Sequence, residues 1–271
     1  FRDDKIVLAG GERTRGMPQN DMVSGLYAEV DENPREVYYF DPKSGTIQRF
    51  MELTEGRLGV AVAQLSDGRI FFIGGGIDTI PSARGCEPGS ATFCQCNPGG
   101  VIPLCTDYVD CVDDVCQPRN FTRKDLATRS IEIYDTQTGN DKVLPQTSWL
   151  RHGRVGHAVA VLTGDRVLVV GGSSAARRSF QASEFELREG PKALDSVELW
   201  DPESQQFRIL PPLAIAREGA VLADAGDAGL LLLGGFVPTE NGGRPTALVE
   251  RYVATSERFE AAGTLSVARV Y

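Results

Sequence analysis

The chain has 271 residues, 41% hydrophobic and 24% charged, which is enough to bury a core as one large unit or two modules. Thirty-seven acidic residues against 28 basic ones leave a formal charge of -9. That charge repels phosphate backbones and anionic membranes, so nucleic acid is not expected as a partner. The longest apolar runs, such as Leu230 to Leu233, are strand-sized and too short to cross a bilayer.

Thirty glycines and 15 prolines, with 8% aromatic residues, predict many short strands joined by turns, hence an all-β protein. The sequence begins at Phe1 rather than methionine, so any signal peptide or anchor is expected to lie outside it.

In chain order, an apolar run closing in Gly-Gly comes first, at Ile6 to Gly10-Gly11. It recurs at Ile70 to Gly74-Gly75, Val167 to Gly171-Gly172 and Leu230 to Gly234-Gly235. Each pair ends a strand where the backbone needs room or positive φ. Ahead of the last three lies a second apolar strand led by Arg57, Arg154 or Arg217, and a further copy starts at Arg269. The turns between these strands, Ser66 to Arg69 and Thr163 to Arg166, suit tight hairpins, with Asp224 to Gly229 slightly longer.

After each Gly-Gly comes a variable segment and then a third strand ending on an aromatic, at Phe40, Tyr134, Trp200 and Tyr252. Seven residues later a fourth strand follows, at Ile47, Asp141, Phe207 and Phe259. The repeating unit is therefore a four-stranded antiparallel meander, which must stack on its neighbours to bury both faces.

In these residues the chain resembles the kelch-repeat β-propeller family, whose pattern is an apolar run, a Gly-Gly pair and then a spaced Tyr and Trp. The resemblance covers nearly the whole chain outside the insertions. It departs from the pattern where Asp141 replaces the second aromatic and where Trp200 and Phe40 stand in place of Tyr. It implies radially packed blades around a central channel. Blade 1 is expected over residues 1–53, blade 2 over 56–146 with an insertion at 77–129, blade 3 over 151–213, blade 4 over 216–265, and the start of another over 266–271. Because the family usually closes with six or seven blades, the four are expected to belong to a larger ring. The alternative is a ring of four in which residues 266–271 complete the blade begun by residues 1–11.

Turns after strand two all emerge on one side of such a ring, and that is where the extra residues fall: 12–34, 77–129, 173–194 and 236–245. Long loops on one side of a rigid scaffold make a binding surface, although tolerated loop growth would look the same. The second of these segments holds all six cysteines, Cys86, Cys94, Cys96, Cys105, Cys111 and Cys116. An even count in a Gly- and Pro-rich stretch too small for a core of its own reads as a disulfide framework with 15 connectivities open. Zinc bound by thiolates is the competitor, but the paired C-x₂-C spacing is missing. Disulfides would place the protein in a secreted, periplasmic or cell-surface setting.

Asp107, Asp110, Asp113 and Asp114 in the same insertion are oxygen donors that could hold calcium, though not with EF-hand spacing, and solvated loop acids are the better expectation. Apart from that calcium, no cofactor is expected. Asn120-Phe121-Thr122 fits a glycosylation sequon.

Chemistry is sparse. The histidines are His152 and His157, and no G-x-S-x-G, P-loop or dinucleotide fingerprint occurs. Carboxylates are plentiful, but nothing selects a pair for glycoside hydrolysis. The recurrent arginines Arg57, Arg154, Arg217 and Arg269 allow two readings. They form a guanidinium ring at the channel that grips an anionic ligand, or each ties its own blade to a backbone carbonyl or to an acid such as Glu55 or Glu218.

The function expected from all this is a non-catalytic extracellular binding module that meets a protein or glycan through its long loops. The alternatives are a propeller enzyme, a metal oxidase or carbohydrate-active, with catalytic residues in further blades, and a self-associating subunit of a surface assembly.

Overall fold

The structure is a computed structural model that describes residues 5–11, 34–77, 109–112, 115–118, 126–174, 192–238 and 243–270. The first sheet is a three-stranded meander of β1 (Ile6–Leu8), β2 (Glu36–Asp41) and β3 (Thr46–Glu52). Two strands of the second sheet follow, β4 (Ala61–Gln64) and β5 (Arg69–Ile73).

The insertion then contributes four short strands. β6 (Gly76–Ile77) pairs with β9 (Leu126–Ala127), and β7 (Val109–Val112) pairs with β8 (Val115–Pro118). With β10 (Ile131–Asp135) and β11 (Asn140–Val143) the second sheet is complete, in the order β11-β10-β5-β4. The third sheet is β12 (Ala158–Leu162), β13 (Arg166–Val170), β14 (Val197–Asp201) and β15 (Gln206–Leu210). The fourth comprises β16 (Val221–Asp224), β17 (Leu230–Leu233), β18 (Phe236–Val237), β19 (Arg244–Val253) and β20 (Arg258–Arg269).

Every pairing is antiparallel, and the register is the one the seven-residue spacing predicts: Phe40↔Ile47, Tyr134↔Asp141, Trp200↔Phe207 and Tyr252↔Phe259. The sheets stack face to face in sequence. Along β5, Ile70 and Phe72 pack toward the first sheet with Val37 and Leu53, whereas Phe71 and Ile73 join Val167, Val169 and Trp200 of the third. Along β13, the alternate residues Leu168 and Val170 turn to Leu232, Tyr252 and Phe259 of the fourth. The second strands β5 and β13 are thus buried on both faces, which is why they read as unbroken apolar runs instead of alternating ones. Trp200 meets Phe71 across this interface edge-on at 5.5 Å and its own sheet's Phe207 at 5.3 Å.

Two details go beyond the sequence reading. Where Asp141 replaces an aromatic, a short 3₁₀ turn at Gln146–Ser148 leads into Trp149, which packs on the same core cluster and donates its indole N–H to the Leu144 carbonyl at 2.6 Å. Residues 266–269 are continuous with β20, with Arg269 opposite Thr246. The corresponding stretch of blade 3 is broken by Pro211-Pro212, whereas 259–268 contains no proline, so the ladder continues through bulges.

Candidate functional site

Three of the four arginines are sealed inside their blades. Arg57, Arg154 and Arg217 are 1%, 0% and 0% exposed. Arg154 donates to the carbonyls of Gly171 at 2.8 Å and Ser196 at 3.1 Å, to the Ser196 hydroxyl at 2.9 Å, and to the buried carboxylate of Glu198. Arg57 repeats this with the Gly74 and Ser130 carbonyls at 2.8 and 3.2 Å, the Ser130 hydroxyl at 2.8 Å, and Glu132 at 3.8 Å. Arg217 takes the Leu248 carbonyl at 3.2 Å and the Glu250 carboxylate.

Each glutamate in turn accepts backbone N–H groups from the connection that enters its blade: Thr54 for Glu132, Arg151 and His152 for Glu198, and Ala214 for Glu250. Burial lowers the pKa of all three guanidiniums, opposed by the facing carboxylates. Burial also raises that of Glu132, opposed by the Thr54 amide and Arg57. These groups clamp the incoming chain to the third strand.

A ligand-gripping ring of these arginines is therefore not what the geometry provides, because the guanidiniums are covered and committed to internal partners. Arg269 stands apart, with an exposed side chain. The partner acids are also not the ones the sequence suggested. They lie on the third strands, two residues before the aromatic, whereas Glu55 contributes a weaker charge interaction to Arg57.

Blades are joined by a backbone relay. Gly75 N–H donates to the Arg154 carbonyl at 2.8 Å and Gly172 to Arg217 at 2.9 Å, each on the following blade, and Gly235 makes the same bond at 2.8 Å to Arg269 at the end of β20. The first glycine of each pair makes room for that carbonyl: a methyl group on Gly10, Gly74, Gly171 or Gly234 would come within 2.7, 2.7, 2.6 or 2.5 Å of the next arginine's oxygen. Further along, Gly219 N–H donates to the Gly156 carbonyl at 2.8 Å and Gly156 N–H to Gly59 at 3.5 Å, all three glycines having φ near 60°. This second glycine series, two residues after each arginine, was missed, although its spacing was there to be seen.

The position after it is Val60, His157 or Ala220 and lies in the seam between sheets, where Val60 touches Gly10 and Gly75 and His157 touches Gly74 and Gly172. His157 is 8% exposed, and neither ring nitrogen has a partner of standard hydrogen-bond geometry. Burial first, and then the Arg154 charge, lower its pKa to about 3, opposed by a weak interaction with the Ile73 backbone.

The two rims of the stack differ. One carries the tight turns, such as 65–69, 135–140 and 201–206, stitched between blades where Asp165 accepts from the Ser66 amide at 2.8 Å and its hydroxyl at 2.6 Å. The other carries the segments that follow second strands, anchored by Ile77↔Leu126, Ser173↔Ala193 and Val237↔Arg244. Cys86, Cys94, Cys96, Cys105, Asp107, Asp113, Asp114 and Asn120 lie outside the described residues. Cys111 and Cys116 lie on β7 and β8, and Asp110 on β7. Among the described residues no group of three or more His, Cys, Asp or Glu could hold a metal ion, and no helix is long and apolar enough to cross a membrane.

A kelch motif is matched over residues 154–214, the third blade from its leading arginine onward. No curated protein matches the chain by sequence. The solved structure of YjhT superposes with a TM-score of 0.62 at 15% identity, over 99% of this chain and 70% of that one. Stacked antiparallel meanders with Gly-Gly strand ends, a superposition on a solved structure along almost the whole chain, and a kelch motif in the third meander give the chain a β-propeller fold that contains a kelch repeat.

Proposed function

We propose that this protein is a non-catalytic extracellular or surface-displayed module that engages a protein or glycan through its long-segment rim and needs no cofactor. Kelch-type propellers are in general protein-interaction scaffolds. The observation that carries the finer reading is the asymmetry of the rims. The extended segments leave from second strands on one side, while tight, cross-stitched turns occupy the other. A rigid stack with variable segments on one rim has the layout of a recognition surface. The extracellular setting is supported by six cysteines gathered in one of those segments.

The test joins Ile77 to Leu126 by a short Gly-Ser turn and compares this variant with the intact protein on a glycan array and in cross-linking against surface extracts of the source cells. Partners whose cross-links fall on the long-segment rim, and which the variant loses or holds at least tenfold more weakly, support the proposal. Cross-links confined to the tight-turn rim, or equal binding by the variant and by one shortened at 175–191, overturn it.

A further inference from the structure

Within the insertion, β7 and β8 form a hairpin whose register sets Cys111 directly opposite Cys116. Val112 is the register partner of Val115, so just two residues of sequence, 113 and 114, connect the strands. In a two-residue hairpin the closing pair is the hydrogen-bonded one, so the next pair outward is non-hydrogen-bonded. Cα atoms in such a pair stand about 4.5 Å apart, inside the span of roughly 4.4–6.8 Å that a disulfide bridges.

A second observation points the same way. The hairpin pairs with no other described strand, its sheet consisting of β7 and β8 alone. Isolated two-stranded hairpins are marginal in water. The connecting sequence, Asp-Asp, lacks the glycine that two-residue hairpin loops favour. A covalent tie between the strands supplies what turn chemistry and packing do not.

We infer that Cys111 and Cys116 form one disulfide of the insertion, leaving Cys86, Cys94, Cys96 and Cys105 to pair among themselves. This rests on the disulfide reading of the cysteines in the proposed function. It reduces the 15 connectivities of six cysteines to three. The bond forms by exchange with a protein or small-molecule disulfide as oxidant. One cysteine thiolate attacks the oxidant's disulfide and expels one of its sulfurs as thiolate. The other cysteine then attacks the mixed disulfide and expels the second. The two protons from the cysteines end on the oxidant, which leaves as two thiols. The product is a stapled pair of strands, β7 and β8, within the insertion.

The sequence provides its own test. Cleavage before aspartates releases residues 78–106 with four cysteines, 110–112 with Cys111 and 114–124 with Cys116. Unreduced native protein is alkylated, digested with an Asp-specific protease and read by mass spectrometry. The expected result is 110–112 joined to 114–124, separate from 78–106. If either small fragment is joined to 78–106, this pairing is wrong while the disulfide reading stands. If both cysteines are alkylated without reduction, the pairing is wrong, and alkylation of all six removes the disulfide reading as well. As a second measurement, folded Cys111→Ser protein should gain one alkylatable thiol, at Cys116, and a new thiol elsewhere would overturn the pairing.

Discussion

His157 occupies a seam position where the neighbouring repeats have Val60 and Ala220. Its folded pKa of about 3 lies below the ordinary 6.5, so the folded state binds fewer protons than the unfolded chain between those values. Its contribution is therefore fully present above about pH 6.5 and is lost as pH falls toward 3, at about 1.4 kcal/mol per pH unit. Urea titrations at pH 7 and pH 4.5 should show His157→Val losing much less stability on acidification than the parent, and parallel losses would sink this account.

Glu198 shows the other face of buried charge. Glu198→Leu leaves Arg154 uncompensated and two backbone N–H groups unpaired, and should cost about 3 to 5 kcal/mol in denaturant unfolding. The double change Arg154→Leu with Glu198→Leu should cost clearly less than the two single changes added together. The arginines were legible because they recur at a fixed place. Their acids were harder to see, since Glu132, Glu198 and Glu250 lie 75, 44 and 33 residues downstream, separated by insertions of different length.

At the scale of elements, strands such as β5 and β13, the hairpin turns and the aromatic register were legible because burial on both faces and a constant seven-residue return leave marks in the sequence. The continuous β20 was not, because whether a ladder continues past the core depends on what its neighbour offers, and β19 extends far enough to accept Arg269 opposite Thr246. Glycines of like appearance also separate here. Gly164 (φ 79°) has no atom within 4 Å of a would-be Cβ, so Gly164→Ala should cost only the left-handed strain, about 1 to 2 kcal/mol. Gly171 (φ 61°) faces the Arg217 carbonyl at 2.6 Å. Gly171→Ala should cost about 3 kcal/mol or more, since backbone rather than a mobile side chain must move. Thermal unfolding of the two variants side by side checks the difference.

For the whole molecule, the core lies between successive sheets, in three clusters each shared by two neighbours. Since Ile77 is the register partner of Leu126, a short turn should replace residues 78–125 without disturbing β5 or β10. The shortened protein should keep its melting temperature within a few degrees, and calorimetry that showed a collapse would mean the insertion supports the stack. The loop-bearing rim was legible in outline from segment lengths, but its binding chemistry was not, because recognition depends on how loops fold over the rim rather than on spacing.

The glycine-to-arginine carbonyl relay gives the stack a polarity. The amide protons of Gly75 and Gly172 each sit on one blade and are shielded from exchange by the next, so they act as two one-way detectors of what docks behind them. In amide hydrogen exchange, loss of protection at Gly172 alone would mark the fourth sheet peeling away while the second and third hold. Loss at Gly75 would mark a break one seam earlier. Two proton signals thus give the order in which the second, third and fourth sheets come apart.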